Sequence, residues 1–282
     1  MCQSCLPSAA GLTRRSLGLA LARPLGLAAL ATPGVTASWR AHADGLGSAL
    51  VEPRLRLAGV PADRLVVALT LDACPGAFDE RLARALVENA IRATIFVTGV
   101  WMRRNPAGLA FLLANRDLFA LENHGERHIP PVLGGRSVYG IAGAGDLSAM
   151  RAEVVDGGRS VATATGVAPR WYRGATGLYS REAIPEIERL GFAIAGYSLN
   201  ADMGASLPAH RVAERVAGAA SGEVIVGHIN QPSRPSGLGI AEGVIDLRRR
   251  GALFVHLEAA TGFLPKDAAA TGERRADAGI TR

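Results

Sequence analysis

The sequence has one lysine, Lys266, three cysteines, 5% aromatic residues and no run of 18 or more uninterrupted apolar residues in its 282 positions. The last of these excludes a polytopic membrane protein. A composition of 49% hydrophobic and 20% charged residues, well mixed, excludes a disordered chain. The formal net charge is +6, but Arg14, Arg15, Arg23 and Arg40 supply four of those charges within residues 1–43, which hold no acid. Beyond them the arginines are scattered. The one short basic run, Arg248-Arg249-Arg250, sits at an expected helix end, where cations suit the dipole. No basic stripe with interleaved aromatics exists, so nucleic acid is not an expected partner. Cys2 and Cys5 lie at the extreme N-terminus and leave Cys74 alone in the body, so no intramolecular disulfide is expected there. Scarce aromatics also argue against a long stacking groove.

Thr13-Arg14-Arg15-Ser16-Leu17 precedes a moderately apolar stretch to Ala31, and small residues then lead to Ala41-His42-Ala43, an A-x-A cleavage pattern. The paired arginines resemble a twin-arginine export signal over residues 1–43. The other reading is a Sec signal with a chance arginine pair. Either predicts a mature protein starting near Asp44, periplasmic or secreted, with no membrane span after cleavage. The twin-arginine reading adds the export machinery as a partner. At the far end, residues 265–282 are polar and rich in Ala and Gly without periodicity, and are read as a disordered tail.

Between them, residues 44–264 alternate strand and helix patterns. Strands are expected at Leu65–Thr70, Ala93–Val97, Leu118–Glu122, Arg170–Tyr172, Phe192–Tyr197, Glu223–Gly227 and Leu253–His256. Helices are expected at Asp79–Asn89, Asn105–Asn115, Asp146–Thr165, Arg181–Leu190, Pro208–Ala219 and Gly239–Arg250. A Gly/Pro-rich stretch, Pro130–Gly145, intervenes. Seven strands with crossover helices and no hairpin signals predict a largely parallel sheet, either a (β/α) barrel or an open doubly wound sheet. No G-x-G-x-x-G follows the first strand, which weakens the dinucleotide-binding version.

Polar residues favour the barrel. Asp72 follows strand one, His124 and His128 follow strand three and Arg173 follows strand four. Asn200 and Asp202 follow strand five and His228 follows strand six. All stand at carboxyl ends of strands, the face on which barrel enzymes build their sites. The two imidazoles of His124-Gly-Glu-Arg-His128 can converge on one cation if the backbone turns tightly; otherwise they are surface histidines in a loop. Asp72 reads as a buried carboxylate or a strand-end Asx turn, Arg173 as a bidentate anion clamp, and His228 as a general acid or a hydrogen-bonded core histidine.

Thr70-Leu71-Asp72-Ala73-Cys74-Pro75-Gly76 resembles the first motif, T-F-D-D-G, of the NodB-like polysaccharide deacetylases, carbohydrate esterase family four. His124–His128 is similar to their second motif, H-S/T-x-x-H. Arg173-Gly174-Ala175-Thr176-Gly177 is similar to the third, R-P-P-Y-G. Tyr197–Asp202 and Val226-Gly227-His228 are similar to the fourth and fifth. The resemblance implies a distorted (β/α) barrel of about seven parallel strands. It also implies hydrolysis of N-acetyl groups on an amino-sugar glycan, with a divalent metal, zinc foremost. By carry-over His124 and His128 are ligands, Asp72 is the base on water, Arg173 orients Asp72, and His228 protonates the departing amine, held by Asp202.

The departures matter as much. Ala73 stands where the family has its ligating second aspartate, so Asp79 or Glu122 is the expected substitute ligand, unless water fills the gap or no metal is bound. Cys74, adjacent and soft, offers thiolate ligation as an alternative, but it alternates to the opposite side of the strand from Ala73 and is read as packing. Thr176 replaces the third motif's tyrosine, and Asn200 stands where an acid is common. Two alternatives remain open: a metal-independent hydrolase of a small cyclic amide, and a non-catalytic glycan-binding protein.

Overall fold

A computed structural model of the chain describes residues 50–259; the expected export signal and C-terminal tail lie outside the described residues. The order is β1 (Val66–Ala73), α1 (Glu80–Glu88), β2 (Ala93–Val97), α2 (Gly99–Arg104), α3 (Pro106–Ala114), β3 (Phe119–Asn123), β4 (Ser137–Val138) and β5 (Ile141–Ala142). It continues with α4 (Leu147–Thr165), β6 (Trp171–Tyr172), α5 (Ala183–Arg189), β7 (Ala193–Ile194) and β8 (Leu199–Asn200). The last elements are α6 (Ala209–Ala217), β9 (Val224–His228), α7 (Ser236–Arg249) and β10 (Leu253–Phe254). Among the described residues no helix is long and apolar enough to cross a membrane.

The main sheet runs β7-β6-β3-β2-β1-β9-β8, every pairing parallel, and β10 pairs with the first residues of β1. Its two edges, β7 and β8, are consecutive in sequence and joined only by residues 195–198, so the sheet must curl almost into a barrel. No hydrogen-bonded ladder closes the seam. An N-terminal segment fills it instead: Leu55 N–H donates to Tyr197 O, Leu57 N–H donates to Gly222 O, and Arg56 bridges to Glu223. Residue 196 is glycine because a Cβ there would stand 2.4 Å from Pro53 O.

This seam also explains the main difference from the expected strands. The single strand expected at 192–197 ends at Ile194, and the chain crosses the gap to begin β8 at Leu199. Asn200 therefore ends a strand of its own. Two smaller elements were not expected. Thr98 accepts from Trp101 N–H and starts α2 directly after β2. The Gly/Pro-rich stretch holds the hairpin β4–β5, turned by Tyr139 and Gly140, both at positive φ.

Strand alternation sorts the core. On β1 the odd residues Val67, Leu69, Leu71 and Ala73 pack outward against the helices. The even residues Val66 and Ala68 point into the barrel with Phe96, Trp171, Val224 and Val226. Continued upward, that inner row becomes Thr70, Asp72 and Cys74. The same turn from apolar to polar occurs on β9, from Val224 and Val226 to His228. The barrel is thus plugged below and polar at its mouth, the end carrying the carboxyl termini of the strands.

Candidate active site

Asp72, Cys74, His124, His128, Arg173, Thr176, Gly177, Tyr197, Asn200, Val226 and His228 line one pocket at that mouth. Asp72 and Arg173 form its floor. Arg173 Nη1 donates to Asp72 Oδ1 at 2.9 Å and to Thr70 Oγ1 at 2.8 Å. Its other nitrogens donate to Ala195 O and Gly196 O, both at 3.1 Å, and its guanidinium lies 4.3 Å above the Phe96 ring. The clamp is therefore saturated by protein and holds Asp72 rather than reaching outward. Burial pushes the Asp72 carboxyl upward, but Arg173 and the nearby imidazoles outweigh it and hold the group below its ordinary value.

His124 begins where β3 ends. Its Nδ1 lies 2.6 Å from Arg173 O, and a carbonyl only accepts, so Nδ1 carries the proton. Nε2 then offers its lone pair to the pocket, 3.5 Å from Cys74 Sγ and 4.0 Å from Asp72 Oδ2. Burial lowers the His124 pKa more than Asp72 raises it, which keeps the ring neutral. His128 stands at a left-handed φ of 68°, its ring centroid 5.0 Å from that of His124. The two imidazoles thus converge, as the tight-turn reading required.

A residue that sequence reasoning missed fixes this turn. Glu153 on α4 is buried, and its Oε1 accepts from Arg127 N–H at 2.8 Å and Ile129 N–H at 3.1 Å, on either side of His128. Asn123 braces the same loop, accepting from Gly125 N–H and donating to Val154 O, both at 2.8 Å. The available signal was an acid on an apolar helical stripe, among Met150, Val154, Gly157 and Val161.

His228 closes the opposite wall. Its Nδ1 lies 3.0 and 3.1 Å from the two oxygens of Asp202, which also accepts from His228 N–H at 2.9 Å. Asp202 is fully buried and accepts from Gly204 N–H as well. Asn200 lines the pocket but spends its Oδ1 on Met203 N–H. Thr176 sits on the rim at a φ of 70°, strained for a β-branched residue, and its buried hydroxyl has no hydrogen-bond partner among the described residues.

Three expectations need correction. Asp79 is not placed at the pocket: it caps α1 by accepting from Leu82 N–H and pairs with Arg81. Glu122 accepts from Arg170 N–H and Trp171 N–H, each at 2.8 Å, and lines a separate cavity. Cys74 is not mere packing. Opposite to Ala73 on a strand means the same side as Asp72, and its thiol faces His124. Ala73 is turned outward into the apolar core. Among the described residues, Cys74, His124 and His128 are the one group of three whose ligating atoms, all within 4.8 Å of one another, suit a single metal ion. Two imidazoles and a thiol fit zinc by donor chemistry.

Residues 59–195 match the polysaccharide deacetylase family. No curated protein sequence matches the chain. Several solved structures share its fold. One is a carbohydrate esterase family 4 pseudoenzyme from Bacillus anthracis, at 17% identity and a TM-score of 0.56, covering 70% of this chain and 66% of that one, just under two thirds. Another is a variant of a peptidoglycan deacetylase from Bacillus subtilis, at 21% identity and a TM-score of 0.56, covering 71% and 91%. A third is a family 4 acetyl xylan esterase from Clostridium thermocellum in complex with a cobalt ion, at 22% identity and a TM-score of 0.56, covering 68% and 88%. With these motifs on the mouth of this barrel, residues 59–195 are similar to the NodB-like polysaccharide deacetylases, with Ala73 and Thr176 as departures from the family pattern.

Proposed function

We propose that this protein is an exported hydrolase that removes N-acetyl groups from an amino-sugar glycan. One observation carries the reading: an ionised carboxylate and a carboxylate-held imidazole, on paired residues of the neighbouring strands β1 and β9, face one small pocket beside two converging histidines. Amide hydrolysis needs such a pair, because the attacking water must lose a proton while the departing amine gains one.

Arg173 holds Oδ1 of Asp72, which leaves Oδ2 for the attacking water. Asp72 takes a proton from that water as its oxygen bonds to the acetyl carbon. His228, oriented through Nδ1 by Asp202, turns its other edge to the pocket and gives a proton to the sugar nitrogen as the C–N bond breaks. The products are acetate and the free amino sugar. His124, His128 and Cys74 are the residues that would hold a divalent metal, whose chemistry when bound is to acidify water and polarise the acetyl carbonyl.

The peptidoglycan deacetylase among the similar folds supports a cell-wall or exported glycan, and the twin-arginine pattern supports a site of action outside the cytoplasm. Few aromatics support a short or simple substrate. A second reading, a glycan-binding protein without turnover, is favoured by Ala73 and by the pseudoenzyme among the similar folds. Acetate release from N-acetylated oligosaccharides and peptidoglycan fragments separates the two. Turnover that disappears in Asp72→Asn while sugar binding persists supports the hydrolase. Binding unchanged by the substitution, with no acetate from either protein, leaves only the binding role.

A further inference from the structure

We propose that Cys74 is the third metal ligand, a thiolate standing in for the missing second aspartate, so that the site selects zinc over harder, oxygen-seeking cations. This rests on reading the pocket as metal-assisted, and four observations carry it. First, direction: Cys74, the residue after β1, continues the inner row of Asp72 and lines the pocket, whereas the methyl of Ala73 is packed outward. Second, elimination: the two carboxylates nearest in sequence logic are engaged elsewhere, Asp79 on a helix N-terminus and Glu122 on the backbone of β6.

Third, distance: zinc bonds of about 2.3 Å to sulfur and 2.0–2.1 Å to nitrogen at a tetrahedral angle separate the two donors by about 3.5 Å. The observed separation of Cys74 Sγ and His124 Nε2 is 3.5 Å. Fourth, preparation: the Arg173 carbonyl fixes the His124 tautomer that presents Nε2, the outer-shell contact typical of ligating histidine. Charge closes the argument. Asp72 is already neutralised by Arg173, and a thiolate returns the single negative charge that the absent aspartate would have supplied. Two nitrogens and a sulfur leave the fourth position of a tetrahedral site for water.

A thiol hydrogen-bonded to imidazole would sit at the same distance, so the test must see the metal–sulfur bond itself. The full chain is stripped with chelator and refilled with cobalt(II). The expected result is a near-ultraviolet thiolate-to-cobalt charge-transfer band that survives in Cys2→Ser/Cys5→Ser and vanishes in Cys74→Ser. Zinc affinity should fall in Cys74→Ser by more than the about 10–100-fold typical of losing an outer-shell partner. Should that variant fail to fold, alkylation of the wild type decides: saturating zinc shields Cys74 from iodoacetamide. Bound cobalt without the band, or a thiol alkylated equally fast with and without zinc, overturns the proposal. A charge-transfer band with no acetate released from any glycan leaves the ligand assignment standing and removes the deacetylase reading; acetate release with a band-free metal does the reverse.

Discussion

The two walls of the pocket each hold a histidine by Nδ1, and they differ in what does the holding. His124 is held by a backbone carbonyl, a dipole without net charge. His228 is held by the carboxylate of Asp202. A carbonyl fixes the tautomer yet gives little support to a protonated ring, and burial does the rest, so His124 stays neutral and keeps a lone pair for a metal. A buried carboxylate stabilises imidazolium and orients it, which suits a proton donor. The same side chain is made a ligand on one wall and an acid on the other by exchanging a dipole for a charge.

The largest expected effect comes from removing the acid. His228→Ala should lower kcat by about 10²–10⁴-fold, the usual worth of a positioned acid, while zinc content stays at the wild-type level. Equal loss of zinc would break the division between the walls. Next is Asp202→Asn, which makes the second histidine resemble the first by replacing its charge with a dipole. Turnover should fall by about 10²-fold, at the lower end of that range, because the ring remains and its imidazolium loses its counter-charge. The checking measurement is the pH–rate profile. Its alkaline limb should move to lower pH, and an unmoved limb would mean that Asp202 only packs.

The metal wall is probed more gently through Glu153. Replacing the carboxylate with amide leaves one acceptor for the Arg127 and Ile129 N–H groups but removes the charge that helps bind them. Zinc affinity of Glu153→Gln should weaken by about 10-fold, with kcat at saturating zinc nearly unchanged. A kcat loss that excess zinc does not repair would place Glu153 among the residues that control the chemistry instead.

How far the sequence reached follows from what kind of signal each feature leaves. The parallel order and the mouth of the barrel were legible because β-branched runs alternate with amphipathic helices, and because Asp72, His124, Arg173 and His228 each stand at the end of such a run. The pairing of Asp202 with His228 was legible from motif order and is met in the geometry. The seam was not, since nothing local in Ala195–Ser198 announces that the strands on either side belong to opposite edges of a sheet. Glu153 was hidden for the opposite reason: its partners are backbone N–H groups, which have no letter in the sequence. Cys74 was misplaced by stopping one step short. Alternation correctly separated it from Ala73, and the same alternation returns it to the face of Asp72.

The comparison extends from imidazoles to carboxylates, and there it makes its smallest demand on turnover. Asp72 and Glu122 are both buried, but Asp72 faces a guanidinium while Glu122 faces two backbone N–H dipoles. The charge wins over burial at Asp72. At Glu122 burial wins over the dipoles, with Glu258 adding repulsion, and the carboxyl is pushed up from 4.5 to about 7. Between those values the folded protein holds a proton that the unfolded chain releases. Stability therefore declines as pH rises through that window, by roughly 3–4 kcal/mol at about 1.4 kcal/mol per pH unit. Asp72, lowered, works in the other direction and only in acid, losing its contribution as pH falls through its folded value. Glu122→Gln keeps an oxygen for both N–H groups and has no proton to lose. Denaturant unfolding of this variant should be nearly level between pH 5 and pH 8 where the wild type declines, with acetate release unchanged. Parallel profiles would show that the dipoles alone suffice to ionise a buried carboxylate, and the distinction drawn between the two histidines would then have to rest on burial instead of on their partners.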